Sequence, residues 1–344
     1  MHKKKDLIGC RFAEFTITDN FVVRRHIRIN TYAPDSRRTA RRNRAEYGDL
    51  ARAHPHFSPK IPNPTNKMNN AELYRKSNSL QKRDAVECLE EYAKNIKWKK
   101  YAARIIDIGC ADGSVTNILK SYMPINYKQL LGCDISEKMV KFANDHHGVG
   151  RTSFRVLNIE GELPDELRDS FDHAFSFYTL HWIRNQEKAF KNIFDILANG
   201  GDCLLLFMGH TPIFDVYRKL SHSNKWSSWL KDVDRYVSPY HDSRNPEREV
   251  SKLMKKIGFT DIDVRCKNMV YVYDDIDVLK KSVAAINPFD IPKDILDDFM
   301  EDYIGLVREL RLVDKANNNI GETITVRHNY TVIVASGRKL AQNS

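Results

Sequence analysis

Ile105-Ile106-Asp107-Ile108-Gly109-Cys110-Ala111-Asp112-Gly113 reads as an apolar strand, an acid near its end, a Gly-x-Ala-x-Gly turn and a helix opening near Ser114. Gly109 and Gly113 permit tight backbone geometry and let a ligand approach main-chain amides closely. Taken alone, the turn also fits a dinucleotide-binding fold or a plain strand-to-helix connection. Asp107 is the discriminating residue. A carboxylate there repels a pyrophosphate but suits a ligand with a cationic, amine-bearing end.

Outward from this turn, short apolar strands alternate with helices. Leu130–Asp134 is a second strand, and Ser136 is a good cap for the helix that follows. Phe154–Asn158 and Asp172–Tyr178 are short strands. A helix over Gln186–Leu197 ends at the turn Asn199-Gly200-Gly201, before the apolar strand Cys203–Met208. Upstream, Leu80, Val86, Leu89, Tyr92, Ala93 and Ile96 recur at helical spacing between Ser79 and Trp98. Such alternation implies an α/β fold, a parallel sheet covered by helices on both faces.

After Gly209 the alternation stops. Residues 211–257 are rich in aromatics (Phe214, Tyr217, Trp226, Trp229, Tyr236, Tyr240), and 277–312 contain an amphipathic stripe from Ile295 to Leu310. Both segments are expected to form a helical lid over a substrate pocket. Strand signals at Ile262–Tyr273 and Thr323–Val334 should close the sheet as a hairpin-like edge.

Charge divides the chain unevenly. Residues 1–67 hold 15 Lys+Arg against 6 Asp+Glu, and the remaining 277 residues hold 40 against 39. The net +10 therefore belongs to the leader, and the balanced body argues against a nucleic-acid partner. The leader has an Arg cluster and a Pro-rich stretch (Pro55, Pro59, Pro62, Pro64), and no sustained helical period. It reads as an upstream in-frame extension, a disordered tail or a targeting peptide, the last weakened by its six acids. The catalytic unit is expected to be Met68–Ser344. Six scattered cysteines, with no C-x-x-C pair, fit free thiols in a reducing compartment, with the cytosol as the default and no metal site. No membrane span is expected, and the oligomeric state is not legible.

Asp134, with Ile135 beside it, lies 21 residues after Gly113 at the tip of the second strand, where an acid can accept from ribose hydroxyls. It can equally be an acid at the start of the next helix. Asn158-Ile159 ends the third strand, where the Asn158 carbonyl can meet an adenine amine while Ile159 packs on the ring. Together with the Asn199-Gly200-Gly201 turn, these strand ends resemble the class I methyltransferase pattern from about Trp98 to Met208. Ala111 and Asn158 depart from it, at positions where glycine and an acid are common.

A longer resemblance runs from residue 68 to 338. Met68-Asn69-Asn70-Ala71-Glu72-Leu73-Tyr74-Arg75-Lys76-Ser77-Asn78-Ser79-Leu80-Gln81, Phe175-Ser176-Phe177-Tyr178-Thr179-Leu180-His181-Trp182 and the segment 277–292 are similar to the insect juvenile hormone acid O-methyltransferases. The Tyr-x6-Gln and Leu-His-Trp motifs also echo the plant carboxyl methyltransferases. The resemblance implies a Rossmann-like, doubly wound, mostly parallel seven-stranded sheet with S-adenosyl-L-methionine as cofactor. It implies a cofactor site of Asp107, Gly109, Gly113, Asp134, Ile135, Asn158, Ile159 and Ser176. Gln81 and Trp182 become N–H donors to a substrate carboxylate, with Tyr74 and His181 lining the same site. Outside this context Trp182 reads as a core aromatic, Gln81 as a solvent-facing helix residue and His181 as a packing histidine.

The expected reaction is methyl transfer to the carboxylate of farnesoic acid or juvenile hormone acids. A carboxylate is already ionised at pH 7, so no general base is needed. Two alternatives stay open: another small or fatty acid as acceptor, or a silent paralogue that binds cofactor or lipid.

Overall fold

The computed structural model describes residues 70–318 and 321–341, and the leader and the expected start at Met68 lie outside them. Helices α1 (Ala71–Ser77) and α2 (Ser79–Tyr92) precede the sheet. Strands β1 (Arg104–Ile108), β2 (Gln129–Asp134), β3 (Thr152–Val156), β4 (Phe171–Phe177) and β5 (Leu197–His210) pair in parallel, in the order β3-β2-β1-β4-β5. The helices between them are α3 (Ser114–Leu119), α4 (Glu137–His147) and α5 (Gln186–Ile196). Ser136 caps α4 as expected, accepting from Met139 N–H at 3.4 Å.

The C-terminal part adds α6 (Pro212–Ser221), α7 (Pro246–Ile257), β6 (Thr260–Tyr273), α8 (Ile276–Ile286), α9 (Leu296–Glu309), β7 (Val313–Asn318) and β8 (Gly321–Arg338). β8 inserts antiparallel between β5 and β6, which completes the order β3-β2-β1-β4-β5-β8-β6 of the class I methyltransferase sheet. A further strand, β7, hairpins onto β8; no strand was read over 313–318 from the sequence.

Two apolar cores form, one on each face. One holds Ile105, Leu130, Phe175, Leu204 and Leu206; the other holds Ile106, Ile108, Leu131, Cys203 and Leu205. The alternation along each strand follows the pleat, and the near-continuous burial follows from helices on both faces.

Three local findings refine the sequence reading. Asn199-Gly200-Gly201 is a bulge inside β5: Phe171 pairs with Leu197 and His173 with Asp202, with Gly200 at φ +83°. Helix α7 packs on β6 and α5 in the second core, away from α6 and α8. The α9 stripe packs behind α6, with Tyr303 against Tyr217 at a ring separation of 5.8 Å. Among the described residues no helix is long and apolar enough to cross a membrane.

Candidate active site

The carboxyl ends of β1, β2, β3, β4 and β5 open into one cavity of about 630 Å³, the place where open α/β sheets take ligands. Of the residues singled out from the sequence, Tyr74, Gln81, Gly109, Asp134, Ile135, Asn158, Ile159, His181 and Trp182 line it. Asp107, Gly113 and Ser176 do not. Each of these three holds the wall from behind. Asp107 is buried and accepts from Thr116 Oγ1 at 2.5 Å, tying β1 to α3. Ser176 Oγ donates to the Ile108 carbonyl at 2.8 Å and pins β4 to β1. Gly113 starts α3 at φ +79°, where a Cβ would meet Ala143 and Phe154 at 3.0 Å.

The glycine turn is shaped by a neighbour the sequence reading did not single out. A Cβ on Gly109 would stand 1.9 Å from Thr179 Oγ1, and Thr179 itself lines the cavity. Five amides in and beside the turn are already committed. Gly109 and Cys110 N–H donate to the Cys133 carbonyl (2.7 and 2.9 Å), and Ala111 N–H donates to Asp134 Oδ2 (3.0 Å). Gly113 N–H donates to the Cys110 carbonyl (2.9 Å) and Ser114 N–H to Asp112 Oδ1 (3.2 Å). A pyrophosphate would need such amides for itself. The turn is no phosphate cradle.

What it offers instead is acceptors. Asp112 Oδ2 and Asn78 Oδ1 are buried without partners. Tyr74 is close enough to Asp112 and Asp134 that burial first, and then those carboxylates, push its hydroxyl well up. Tyr74 therefore stands near Asp112 and Asp134 as well as on the cavity wall. The turn thus carries buried acceptor oxygens, and Asp134, an acid at the tip of β2, lines the cavity.

Asp134 takes the helix-start role that its sequence position allows, and it also lines the cavity. Its Oδ1 accepts from Ser136 N–H at 2.9 Å and its Oδ2 from Ala111 N–H, while its carboxylate lines the cavity. Burial raises its carboxyl, opposed by these amide bonds. Asp134→Ala should weaken S-adenosylmethionine binding by about one to two decades, from charge-assisted bonds worth ~1.5–3 kcal/mol. It should also lower the melting temperature, because two amides lose their acceptor. Calorimetry that found unchanged affinity would confine Asp134 to those amides. At β3, the Asn158 carbonyl accepts from Gly161 N–H (2.9 Å), which leaves it a second lone pair, and Asn158 Oδ1 accepts from Glu160 N–H (3.0 Å).

On the other side of the cavity, a helical turn over Leu180–Trp182 follows β4. Met208 N–H donates to His181 Nδ1 at 3.3 Å, so the proton sits on Nε2. Burial pushes the imidazole down to about 3, which keeps it neutral. Trp182 packs on His181 at 4.9 Å and edge-on to Phe214 at 6.3 Å. Gln81, on α2, has its buried Oε1 without a partner.

Behind Gln81, one helical turn on, Asp84 is 2% exposed. Its Oδ1 accepts from Arg83 Nε and Nη2 (2.9 and 2.7 Å), and its Oδ2 from the hydroxyls of Tyr330 (2.6 Å) and Tyr178. Tyr178, the residue after β4, has φ +58°, a left-handed conformation that an L-residue adopts at a cost. This network joins α2, β4 and β8 beneath the acceptor side of the cavity. A carboxylate at the buried i+4 position between Leu80 and Cys88 was the available sequence signal.

These burials set the sign of the pH dependence. His181 and His328, both pushed down to about 3 by burial, stabilise the fold above pH 6.5 and lose that contribution as pH falls toward 3. Asp107, pushed up to about 7 by burial, acts oppositely: its contribution is full below 3.8 and lost as pH rises through 7. Between about pH 4 and 6.5 the unfolded chain holds two histidine protons, against one native carboxyl proton. Asp134, raised by burial, acts beside Asp107, and His147, lowered by burial, acts beside the histidines, so stability of the ligand-free protein should climb with pH there and turn over as Asp107 gives up its proton near 7. Calorimetric scans giving a flat or falling profile over that range would contradict it.

A family profile described as "Methyltransferase domain" matches residues 106–205. A juvenile hormone acid O-methyltransferase of Bombyx mori is 69% identical over 273 residues, which is 79% of this chain and 98% of that protein. The chain belongs to the juvenile hormone acid O-methyltransferase family. A Drosophila melanogaster juvenile hormone acid O-methyltransferase is 38% identical over 279 residues, 79% of this chain and 93% of that one. As a member of this family the protein is an S-adenosylmethionine-dependent methyltransferase.

Proposed function

We propose that the protein methylates the carboxylate of farnesoic acid or of juvenile hormone acids, giving the methyl ester. The observation that carries this is the partnerless buried Oε1 of Gln81, on the same cavity as Trp182 and a neutral His181. A half-turn of the Gln81 amide presents Nε2–H, so amide, indole and imidazole N–H groups can converge on two carboxylate oxygens.

Bound S-adenosylmethionine supplies an electrophilic methyl group. The chain's own part is positional. Asp134, Tyr74 and the Asp112 carboxylate hold the cofactor end, and Gln81 and Trp182 fix which oxygen lone pair points across the gap. The carboxylate is ionised at neutral pH, so no side chain has to remove a proton. His181 stays neutral and donates without adding a charge that would hold the carboxylate back. Leu80, Ile213, Phe214 and Val283 keep water from the acceptor and receive its apolar tail, which strengthens each donor.

The test is incubation with labelled S-adenosylmethionine and a panel of isoprenoid, fatty and small hydrophilic acids, followed by product identification. Methyl esters should form on the isoprenoid acids. Label transferred only to hydrophilic acids, or to none, would defeat the reading.

A further inference from the structure

The end of the sheet opposite the cavity carries a surface that methyl transfer does not use. β3, β2 and β1 are parallel neighbours, so their amino ends lie side by side. The loop before each strand holds one exposed apolar residue. Tyr101 is 71% exposed, Ile125 83% and Val149 75%, the highest values for large hydrophobic side chains among the described residues. The loops are tied to one another. Ala102 N–H donates to the Asn126 carbonyl at 3.0 Å, and Arg151 Nη2 to the Ile125 carbonyl at 3.1 Å. The three side chains thus belong to one patch, whereas apolar residues scattered singly over a surface would call for no explanation.

Charge on these loops is of one sign. Segments 97–104, 121–129 and 148–152 hold Lys97, Lys99, Lys100, Arg104, Lys128 and Arg151, and no Asp or Glu. Beyond residue 67 the chain is balanced, at 40 Lys+Arg against 39 Asp+Glu, so this is local segregation of charge. Lys99 is paired with Asp172 at 2.9 Å. Lys97, Lys100 and Lys128 are exposed and make no ion pair among the described residues. Arg151 lies over the Tyr127 ring at 4.2 Å and holds backbone carbonyls, so its charge too is unmatched there.

An occupant of this patch has to be anionic and has to take in apolar side chains. A second copy of the chain presents the same charge and is repelled. A polynucleotide satisfies the cations but gives the aliphatic Ile125 and Val149 nothing apolar to enter. A bilayer with anionic headgroups does both: lysines meet the phosphates while the apolar residues reach the headgroup–acyl boundary. We propose that the loops before β1, β2 and β3 dock the enzyme on an anionic membrane surface. The cavity sits at the carboxyl ends of the same strands, so docking by this end leaves it open to solvent and to the cofactor. The proposal does not depend on which acid accepts the methyl group.

The experiment is co-sedimentation of the full-length protein with vesicles of phosphatidylcholine alone, and of phosphatidylcholine mixed with phosphatidylserine. Binding should require phosphatidylserine and weaken as salt is added. Each lysine near such a surface is worth about fivefold in partitioning, so Lys100→Gln with Lys128→Gln should weaken binding about 25-fold. Tyr101→Ser with Ile125→Ser should weaken it about tenfold, because less apolar surface leaves water. All four positions are exposed, so both double variants should keep the wild-type melting temperature and the wild-type methylation rate without vesicles. The basic leader is common to every protein compared and cancels from the ratios. Failure to bind phosphatidylserine vesicles overturns the proposal. So does binding that neither double variant weakens, which would assign it to another part of the chain. A loss confined to the lysine pair overturns it as well: that is attraction by charge alone, and displacement by RNA would then mark the patch as a polynucleotide site.

Discussion

Trp182→Phe is expected to lower kcat/KM for farnesoic acid by about ten- to a hundredfold while leaving S-adenosylmethionine affinity nearly unchanged, the cost of one N–H donor to a charged acceptor (~1.5–3 kcal/mol). Phenylalanine keeps most of the packing on His181 and Phe214, so the change isolates the indole N–H. Gln81 gives a companion test with a sharper signature. Its Oε1 is buried and unpartnered, so Gln81→Met removes an unsatisfied polar group at nearly constant shape. Activity should fall as far as in Trp182→Phe, yet the melting temperature of the ligand-free protein should hold or rise. Because the tail meets other walls of the cavity, the ratio of variant to wild type should be the same for short and long acids. Full activity of Trp182→Phe on every acid would reduce Trp182 to packing, and a large drop in the melting temperature of Gln81→Met would reduce Gln81 to a structural helix residue.

The strand ends were legible because a covered parallel sheet writes itself as apolar runs between caps. Asp134-Ile135, Asn158-Ile159 and His181-Trp182 all reach the cavity for that reason. What sequence spacing did not carry is side-chain direction and long-range contact. Asp107 alternates away from the cavity by the pleat of β1, and its carboxylate serves Thr116. Thr179 explains the glycine at 109, yet the two are 70 residues apart in sequence. Asn199-Gly200-Gly201 carries the signature of a turn, and only the pairing of β4 with β5 makes it a bulge. The aromatic segment after Gly209 mixes residues that line the cavity with others, such as those of α7, that cover the far face. Composition does not separate the two.

Asp84→Asn should give the largest loss of stability among these changes together with a loss of activity, although Asp84 touches neither ligand. Its side chain is 1% exposed, and its two oxygens satisfy a guanidinium and two phenols. Breaking a buried pair by removing one partner typically costs ~3–5 kcal/mol. Arg83 is a third exposed and can regain water, so the lower end applies, about 3 kcal/mol. For a domain of this size that is a fall of roughly 5–10 °C in melting temperature. The activity loss has a separate origin. Asp84 is the anchor that fixes α2 against β4 and β8, and Gln81 stands one turn away on that helix. A shift of about 1 Å in a positioning group can cost on the order of a hundredfold in rate. Stability loss alone would not depend on Gln81, so a double-mutant cycle separates the two effects. In a Gln81→Met background, Asp84→Asn should produce the same drop in melting temperature but little further loss of kcat/KM. If instead the two activity losses multiply, Asp84 acts through the fold at large, and Gln81 is held in place by something else.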